Sequence, residues 1–139
     1  MTDRSLDVLV VFDGSGLGER ALGHAIERAR ALHTGVTVLC VIPPRLWRGR
    51  RGQFQLPAVD RRDEEFARGQ IVRAKELART KGIRARGKLR RGSVASVLVD
   101  EASKGYALLV MGDRINPSGA RSLGSLIREN APIDVELVA

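Results

Sequence analysis

The sequence is poor in the residues on which many protein functions depend. It contains one cysteine, two histidines and only 4% aromatic residues. No apolar run approaches the roughly 18 residues that a membrane-spanning helix needs. The amino terminus has acids on both sides of a short apolar stretch and lacks the small-residue cleavage pattern of a secretion signal. We therefore expect no membrane span and a cytoplasmic location.

The single cysteine excludes a disulfide framework within the chain. Cys40 lies inside the apolar segment VTVLCVI, so we expect a buried and inert thiol. A chain of 139 residues can bury enough surface to fold without disulfides or metals. We expect one domain over residues 1–139.

The shortage of histidine and cysteine also leaves little for catalysis. His24 and His33 are nine residues apart on one predicted helix, which separates them by about 13 Å along its axis. No cysteine or acid cluster accompanies them at metal-ligand spacing, so we expect both to be solvated. Ser15 does not lie in the G-x-S-x-G frame of a nucleophile elbow. We nominate no catalytic residue and no metal ligand, and we expect that the protein is not an enzyme.

Two common nucleotide motifs are missing. The P-loop pattern G-x-x-x-x-G-K-[ST] does not occur, and the glycines at positions 14, 16 and 18 do not follow G-x-G-x-x-G. The end of the second predicted strand, CVIPPRLW, has no acid for a dinucleotide ribose. These absences exclude P-loop and dinucleotide binding.

What the chain does have is positive charge. Its 24 basic and 16 acidic residues give a formal net charge of +8, with arginine concentrated in residues 45–52, 60–69 and 83–92. Such a surface favours anionic partners. We do not expect nucleic acid as the partner, because stacking platforms carry several aromatics and this basic loop has only Trp47 and Phe54. An anionic protein partner for the 45–52 loop remains open.

The hydrophobic pattern predicts an α/β fold. Apolar runs bounded by turns alternate with segments of helical period. Charged residues alternate with small or apolar ones in IRARGKLRRG, as expected for an edge strand. The predicted strands are residues 8–12, 36–42, 83–92, 106–112 and 133–139, and the predicted helices are 18–34 (ended by Gly35), 60–81 (ended by Gly82), 93–105 (capped by Ser93) and 124–130.

This order predicts a three-layer sandwich, a five-stranded parallel sheet of order 3-2-1-4-5 with helices on both faces. Ligands of such sheets bind at the carboxyl ends of the strands, where the strand order reverses. The turn at Asp13 follows strand 1, and residues 111–125 follow strand 4. We expect these two segments to face one crevice.

The segments VLVVFDGSGLGERALGHAIERARALHTGVTVLCVIPP and LLVMGDRINPSGARSLGSLIRENAPIDVELV resemble the two ends of a universal stress protein. The resemblance covers about residues 6–138. It implies a fold of the adenine-nucleotide α-hydrolase type and a homodimer paired through the C-terminal strand. The family contains ATP binders and proteins that do not bind ATP, and it has no general catalytic reaction.

The ATP-binding members carry the pattern G-x2-G-x9-G-[ST] after strand 4. Gly112 matches its first glycine, and Gly124 with Ser125 match its last two positions. Ile115 stands where the second glycine is expected, and the loop is one residue shorter than the pattern. A β-branched residue disfavours positive φ and hinders the approach of main-chain N–H groups to phosphate. The start of the last helix still offers N–H groups and a favourable dipole to an anion.

Three further site residues follow from the resemblance. Asp13 matches the acid that lies near the ribose or a metal, and Val41 matches the position whose main chain meets adenine. Arg114 could neutralise phosphate charge, or it could be a solvated loop residue. The resemblance implies a regulatory or binding module for ATP or AMP, with Mg²⁺ where ATP binds. The alternative is a nucleotide-free interaction protein, or a domain associated with a transporter or kinase, that uses its 45–52 loop.

Overall fold

The computed structural model describes residues 6–43, 61–113 and 122–139. Strands and helices alternate along the chain, as the hydrophobic pattern predicts. The elements are β1 (Val8–Val11), α1 (Gly16–Ala31), β2 (Val36–Ile42), α2 (Arg61–Thr80), β3 (Ala85–Arg91), α3 (Val94–Ala102), β4 (Leu108–Gly112), α4 (Leu123–Asn130) and β5 (Val135–Val138). The 45–52 loop, Arg114 and Ile115 lie outside the described residues.

The five strands form one parallel sheet of order β3-β2-β1-β4-β5, which confirms the predicted order. In β1, Val8 pairs with Val36 of β2 on one side and with Leu108 of β4 on the other. β1 is therefore the central strand, and the chain moves outward from it in both directions. The switch between the two directions lies between β1 and β4.

Alternate residues of the strands feed two separate cores, one on each face of the sheet. Val8 and Val10 of β1 pack with α1 and α2, whereas Leu9 between them packs with α3 and α4. All three are completely buried. A parallel sheet covered on both faces requires such continuous apolar strands. The sheet and the two pairs of helices that cover its faces are the three layers of the sandwich.

The predicted helix ends are off by up to three residues, and the largest difference in local geometry is at the end of α1. Gly82 has a φ of +75° and follows α2, as expected of a helix-ending glycine. Helix α1, however, is followed by His33 at a φ of +55°, not by a left-handed Gly35. A Cβ at Gly35 would lie 2.7 Å from the carbonyl oxygen of Arg84. Gly35 therefore permits close contact with the segment before β3, and His33 lies outside the helix on which we expected it.

A buried carboxylate joins α3 to the edge strand β3. Glu101 is completely buried, and its oxygens accept hydrogen bonds from Lys88 Nζ (2.7 Å), Arg90 Nη1 (3.1 Å) and Tyr106 Oη (2.6 Å). The alternating basic residues of β3 predict an edge strand, and the edge position is confirmed. Lys88 and Arg90 of this strand are half-buried and donate hydrogen bonds to Glu101.

None of the described helices is long and apolar enough to span a lipid bilayer.

Replacing Glu101 with glutamine should lower the free energy of unfolding by about 3 kcal/mol, because it leaves two cations beside a buried group that no longer carries charge. Urea unfolding at neutral pH measures the loss. The matched control is Asp100→Asn, since Asp100 also binds Arg90 (2.6 Å) but is exposed. It should cost at most about 1 kcal/mol. Equal losses in the two variants would contradict a special role for the buried carboxylate.

The stability that Glu101 supplies should depend on pH. Burial alone would raise the pKa of Glu101, but hydrogen bonds from Lys88, Tyr106 and Arg90 outweigh it and lower the pKa from 4.5 to about 2. The contribution is thus present above about pH 4.5 and is lost as the pH falls towards 2. In urea titrations from neutral to acid pH, the difference in unfolding free energy between wild type and Glu101→Gln should shrink across this window. A difference that stays constant down to pH 3 would refute the assignment.

Candidate functional site

A cavity of about 530 Å³ opens at the carboxyl ends of β1, β2 and β4. We call it the edge cavity. Its floor consists of residues 11–13, 40–43 and 111–113, and all four helices contribute to its walls. It lies at the switch between β1 and β4, where doubly wound folds bind ligands, and its size is that of a small-molecule site. The crevice that the sequence predicts is therefore present.

Asp13 is held in place by the first turn of α1. Its Oδ1 accepts hydrogen bonds from Ser15 N (2.9 Å) and Ser15 Oγ (2.6 Å). Ser15 Oγ in turn accepts from Gly18 N (3.0 Å) and caps the helix. A Cβ at Gly18 would lie 2.5 Å from Asp13 Oδ1, so the glycine makes room for this carboxylate. Asp13 presents an exposed, oriented acceptor to the cavity, and Ser15 is a cap rather than a nucleophile.

Val41 offers main-chain groups to the same cavity. The pairing of β1 with β2 ends at Leu39, whose carbonyl oxygen accepts from Phe12 N (3.0 Å). Main-chain groups two residues apart in an extended strand point the same way. The N–H and C=O of Val41 therefore point past the end of β1 towards the cavity, and they offer it one donor and one acceptor.

The neighbouring Cys40 is buried, as the sequence predicts. Its Sγ donates to the carbonyl oxygen of Phe12 (3.1 Å). Burial, and to a lesser extent the negative charge of Asp13, raises the pKa of this thiol to about 11. The thiol is therefore protonated at neutral pH and is a poor nucleophile.

Gly112 also lines the cavity, and another side chain of the protein fills the space that its own side chain would take. A Cβ at this position would lie 2.5 Å from Leu17 Cγ. Leu17 belongs to α1 and lines the cavity too. The structure thus brings Asp13, Val41 and Gly112 together, and their roles towards a ligand stay predictions.

The start of α4 differs from the expected arrangement. The helix begins at Leu123 with Ser122 as its N-cap, and Ser122 Oγ accepts from Ser125 N (3.1 Å). The N–H of Ser125 is therefore not free for an anion. Gly124 is buried, and a Cβ there would lie 2.8 Å from Asp113 Oδ1. Neither Gly124 nor Ser125 lines the edge cavity, whereas Leu123 does.

Helix α2 forms a wall that sequence reasoning did not assign to the site. Asp63, Phe66, Ala67 and Gln70 line the cavity at the i, i+3, i+4, i+7 spacing of one helical face. That spacing is visible in the sequence, but only the sheet order shows what it faces. Gln70 Oε1 is buried and has no hydrogen-bond partner in the part of the chain that the structure describes. Its carboxamide lies against Gly14, which has a φ of +82°.

The remaining polar candidates do not form a catalytic group. His24 Nε2 lies 3.0 Å from Glu136 Oε1 on β5, to which Arg28 Nε also donates (3.0 Å). His24 thus has a protein partner and is not simply solvated as expected. Among residues 6–43, 61–113 and 122–139, no three His, Cys, Asp or Glu side chains come close enough to hold a metal ion.

Together, the fold and cavity define a class of protein: a doubly wound α/β domain with a ligand-sized cavity at its switch point. The model of the universal stress protein family matches residues 6–135. The chain belongs to this family. A comparison with curated proteins finds no match.

Solved structures of the family share the fold over nearly the whole chain. A universal stress protein from Archaeoglobus fulgidus is 25% identical, with 96% of this chain and 98% of that chain covered and a TM-score of 0.74. A universal stress protein from the same organism in complex with dAMP is 21% identical, with 98% and 99% covered and a TM-score of 0.76. A family member from Arabidopsis thaliana with AMP bound is 13% identical, with 96% and 90% covered and a TM-score of 0.63.

The packing of Leu17 predicts that Gly112 is needed for stability. Gly112→Ala should lower the free energy of unfolding by about 1–3 kcal/mol, because the new methyl group overlaps Leu17. The matched control is Gly23→Ala in α1, where a Cβ would meet nothing within 4 Å. It should raise stability by up to about 1 kcal/mol through helix propensity. Urea unfolding of both variants without ligand tests this, and a Gly112→Ala protein as stable as wild type would contradict it.

Proposed function

We propose that the chain is a regulatory binding module of the universal stress protein family that binds an adenine nucleotide, ATP or AMP, in the edge cavity. The observation that carries the proposal is the cavity itself, which joins the main chain of Val41, the oriented carboxylate of Asp13 and the end of β4 at Gly112. The dAMP and AMP complexes of family members support adenine as the base.

In this proposal the nucleotide lies across the strand ends in the order β2, β1, β4. The base contacts Val41 at one end, the ribose hydroxyls donate to Asp13 in the middle, and phosphate lies towards β4. Neighbouring strands are about 4.8 Å apart, so three adjacent strands suit the span from a base to its first phosphate. Mg²⁺, where it accompanies ATP, would be brought by the phosphates rather than held by a protein cluster.

Phe66 is the residue of α2 best suited to cover the base. It lines the cavity although 64% of its surface is exposed. A large exposed aromatic ring at the mouth of a cavity has apolar area to gain from a planar ligand. The buried, unpartnered oxygen of Gln70 one turn further along the helix is a second group that a ligand could satisfy.

Three broader features belong to the same proposal. The module acts as a single domain in the cytoplasm without catalysing a reaction. It forms a homodimer through the outer edge of β5, the last strand of the described sheet. The buried thiol and the helix-capping serine give no support to a nucleophilic mechanism. An anionic partner for the 45–52 loop remains the alternative role.

The test is isothermal titration calorimetry of the full chain with AMP and ATP. Wild type should show saturable binding of one nucleotide per chain. Phe66→Ala should weaken AMP binding about tenfold, because a base loses its stacking surface. The matched control is Val72→Ala, since Val72 is also on α2 and is 66% exposed but does not line the cavity. It should bind like wild type.

Two outcomes would contradict this proposal at different levels. No heat of binding with either nucleotide, for a wild-type protein that unfolds cooperatively, would reject the nucleotide function. Binding that neither Phe66→Ala nor Val72→Ala alters would retain the function and reject the contact between the base and α2.

A further inference from the structure

The carboxylate of Asp113 lies where the first turn of α4 begins. The main chain of Asp113 is fixed by the hydrogen bond from its N–H to the carbonyl oxygen of Val138 (2.8 Å). A Cβ at Gly124 would lie 2.8 Å from Oδ1 and 2.9 Å from Cγ of Asp113. The carboxyl group therefore rests directly on the backbone of Gly124, the second residue of the helix.

This arrangement supplies the helix terminus with a negative charge from the chain itself. The N-terminus of a helix attracts anions through its unpaired N–H groups and its dipole. Here one N–H, that of Ser125, is taken by Ser122 Oγ, and the carboxylate of Asp113 occupies the adjacent surface. A phosphate group that reached this turn would meet a carboxylate instead of an open anion site.

The rest of the cavity adds negative charge in the same direction. Asp13 lines it together with Asp113, so a phosphate chain would meet two carboxylates. Like charges close together in a partly desolvated site repel strongly. The repulsion between these carboxylates and the ligand grows with each phosphate that the ligand carries. Contacts with the base and the ribose do not depend on the number of phosphates.

The order of the strands sets where each phosphate would lie. A nucleotide with its base at Val41 on β2 and its ribose at Asp13 on β1 has its first phosphate over the end of β4. Asp113 follows β4 directly, and its carboxylate lies against Gly124 at the start of α4. Each phosphate added beyond the first extends from β4 towards α4 and so brings more negative charge to this carboxylate.

We infer that Asp113 determines the phosphate length of the ligand, so that the cavity takes adenine nucleoside monophosphates in preference to triphosphates. This rests on the proposed function, because it concerns the same cavity and the same base. Asp113 is in this view a specificity-determining residue: it leaves recognition of the base unchanged and excludes the longer phosphate chain.

The inference is tested by calorimetric titration of the full chain with adenosine, AMP and ATP, in EDTA to remove divalent cations. Wild type should bind AMP about tenfold or more tightly than ATP. Asp113→Asn keeps the shape of the side chain and removes its charge, so it should tighten ATP binding about tenfold and change adenosine binding little. Asp113→Ser should act in the same direction.

The matched control is Asp134→Asn, which makes the same change in net charge at an exposed residue outside the cavity. It should alter neither affinity. Equal gains in ATP affinity for Asp113→Asn and Asp134→Asn would overturn the inference in favour of a general charge effect. Wild-type protein that binds ATP at least as tightly as AMP would also overturn it. If wild type and the Asp113 variants bind none of the three ligands, both the inference and the proposed function fail. Binding without dependence on Asp113 rejects the inference alone.

Discussion

Three glycines at the carboxyl edge of the sheet occupy positions where no Cβ fits. A Cβ at Gly18 would lie 2.5 Å from Asp13 Oδ1 and one at Gly112 2.5 Å from Leu17 Cγ, whereas one at Gly124 would lie 2.7 Å from Leu137 Cδ2 and 2.8 Å from Asp113 Oδ1. These glycines let neighbouring side chains lie directly on the backbone at the carboxyl edge of the sheet. The side chains that fill these gaps, two carboxylates and two leucines, therefore help to set the shape and charge of this edge of the sheet.

A second constraint, the ion pairs of Glu101, fixes the wall of the cavity to which helix α3 contributes. Helix α3 contributes Val94 and Leu98 to the lining, and the ion pairs of Glu101 join the same helix to β3. β3 is an edge strand with a partner on one side only. The buried carboxylate thus holds the edge strand and the cavity wall in one arrangement, and breaking it would loosen both.

The sequence predicts the fold well because its signals are local. Apolar runs identify the buried strands, and the alternation of basic residues identifies β3 as the edge, which together give the strand order. The roles of Glu101 and of the α2 wall depend on contacts between distant segments, so no local pattern shows what these residues face. The error at the end of α1 has a similar origin. Gly35 accommodates Arg84, and this depends on packing rather than on residue preference.

The site residues show why a glycine pattern is an incomplete guide to phosphate binding. Such a pattern records where the backbone lacks side chains, but it does not record what occupies the space. At Gly112 the occupant is Leu17, and at Gly124 the occupants are Leu137 and the carboxylate of Asp113. The groups suited to a base and a ribose, at Val41 and Asp13, lie on β2 and β1 and do not depend on these glycines. In the proposed binding mode, recognition of a nucleoside and recognition of a phosphate chain are therefore separable, because they involve different strands. A chain could keep the first while its own acidic side chain takes the place of the second.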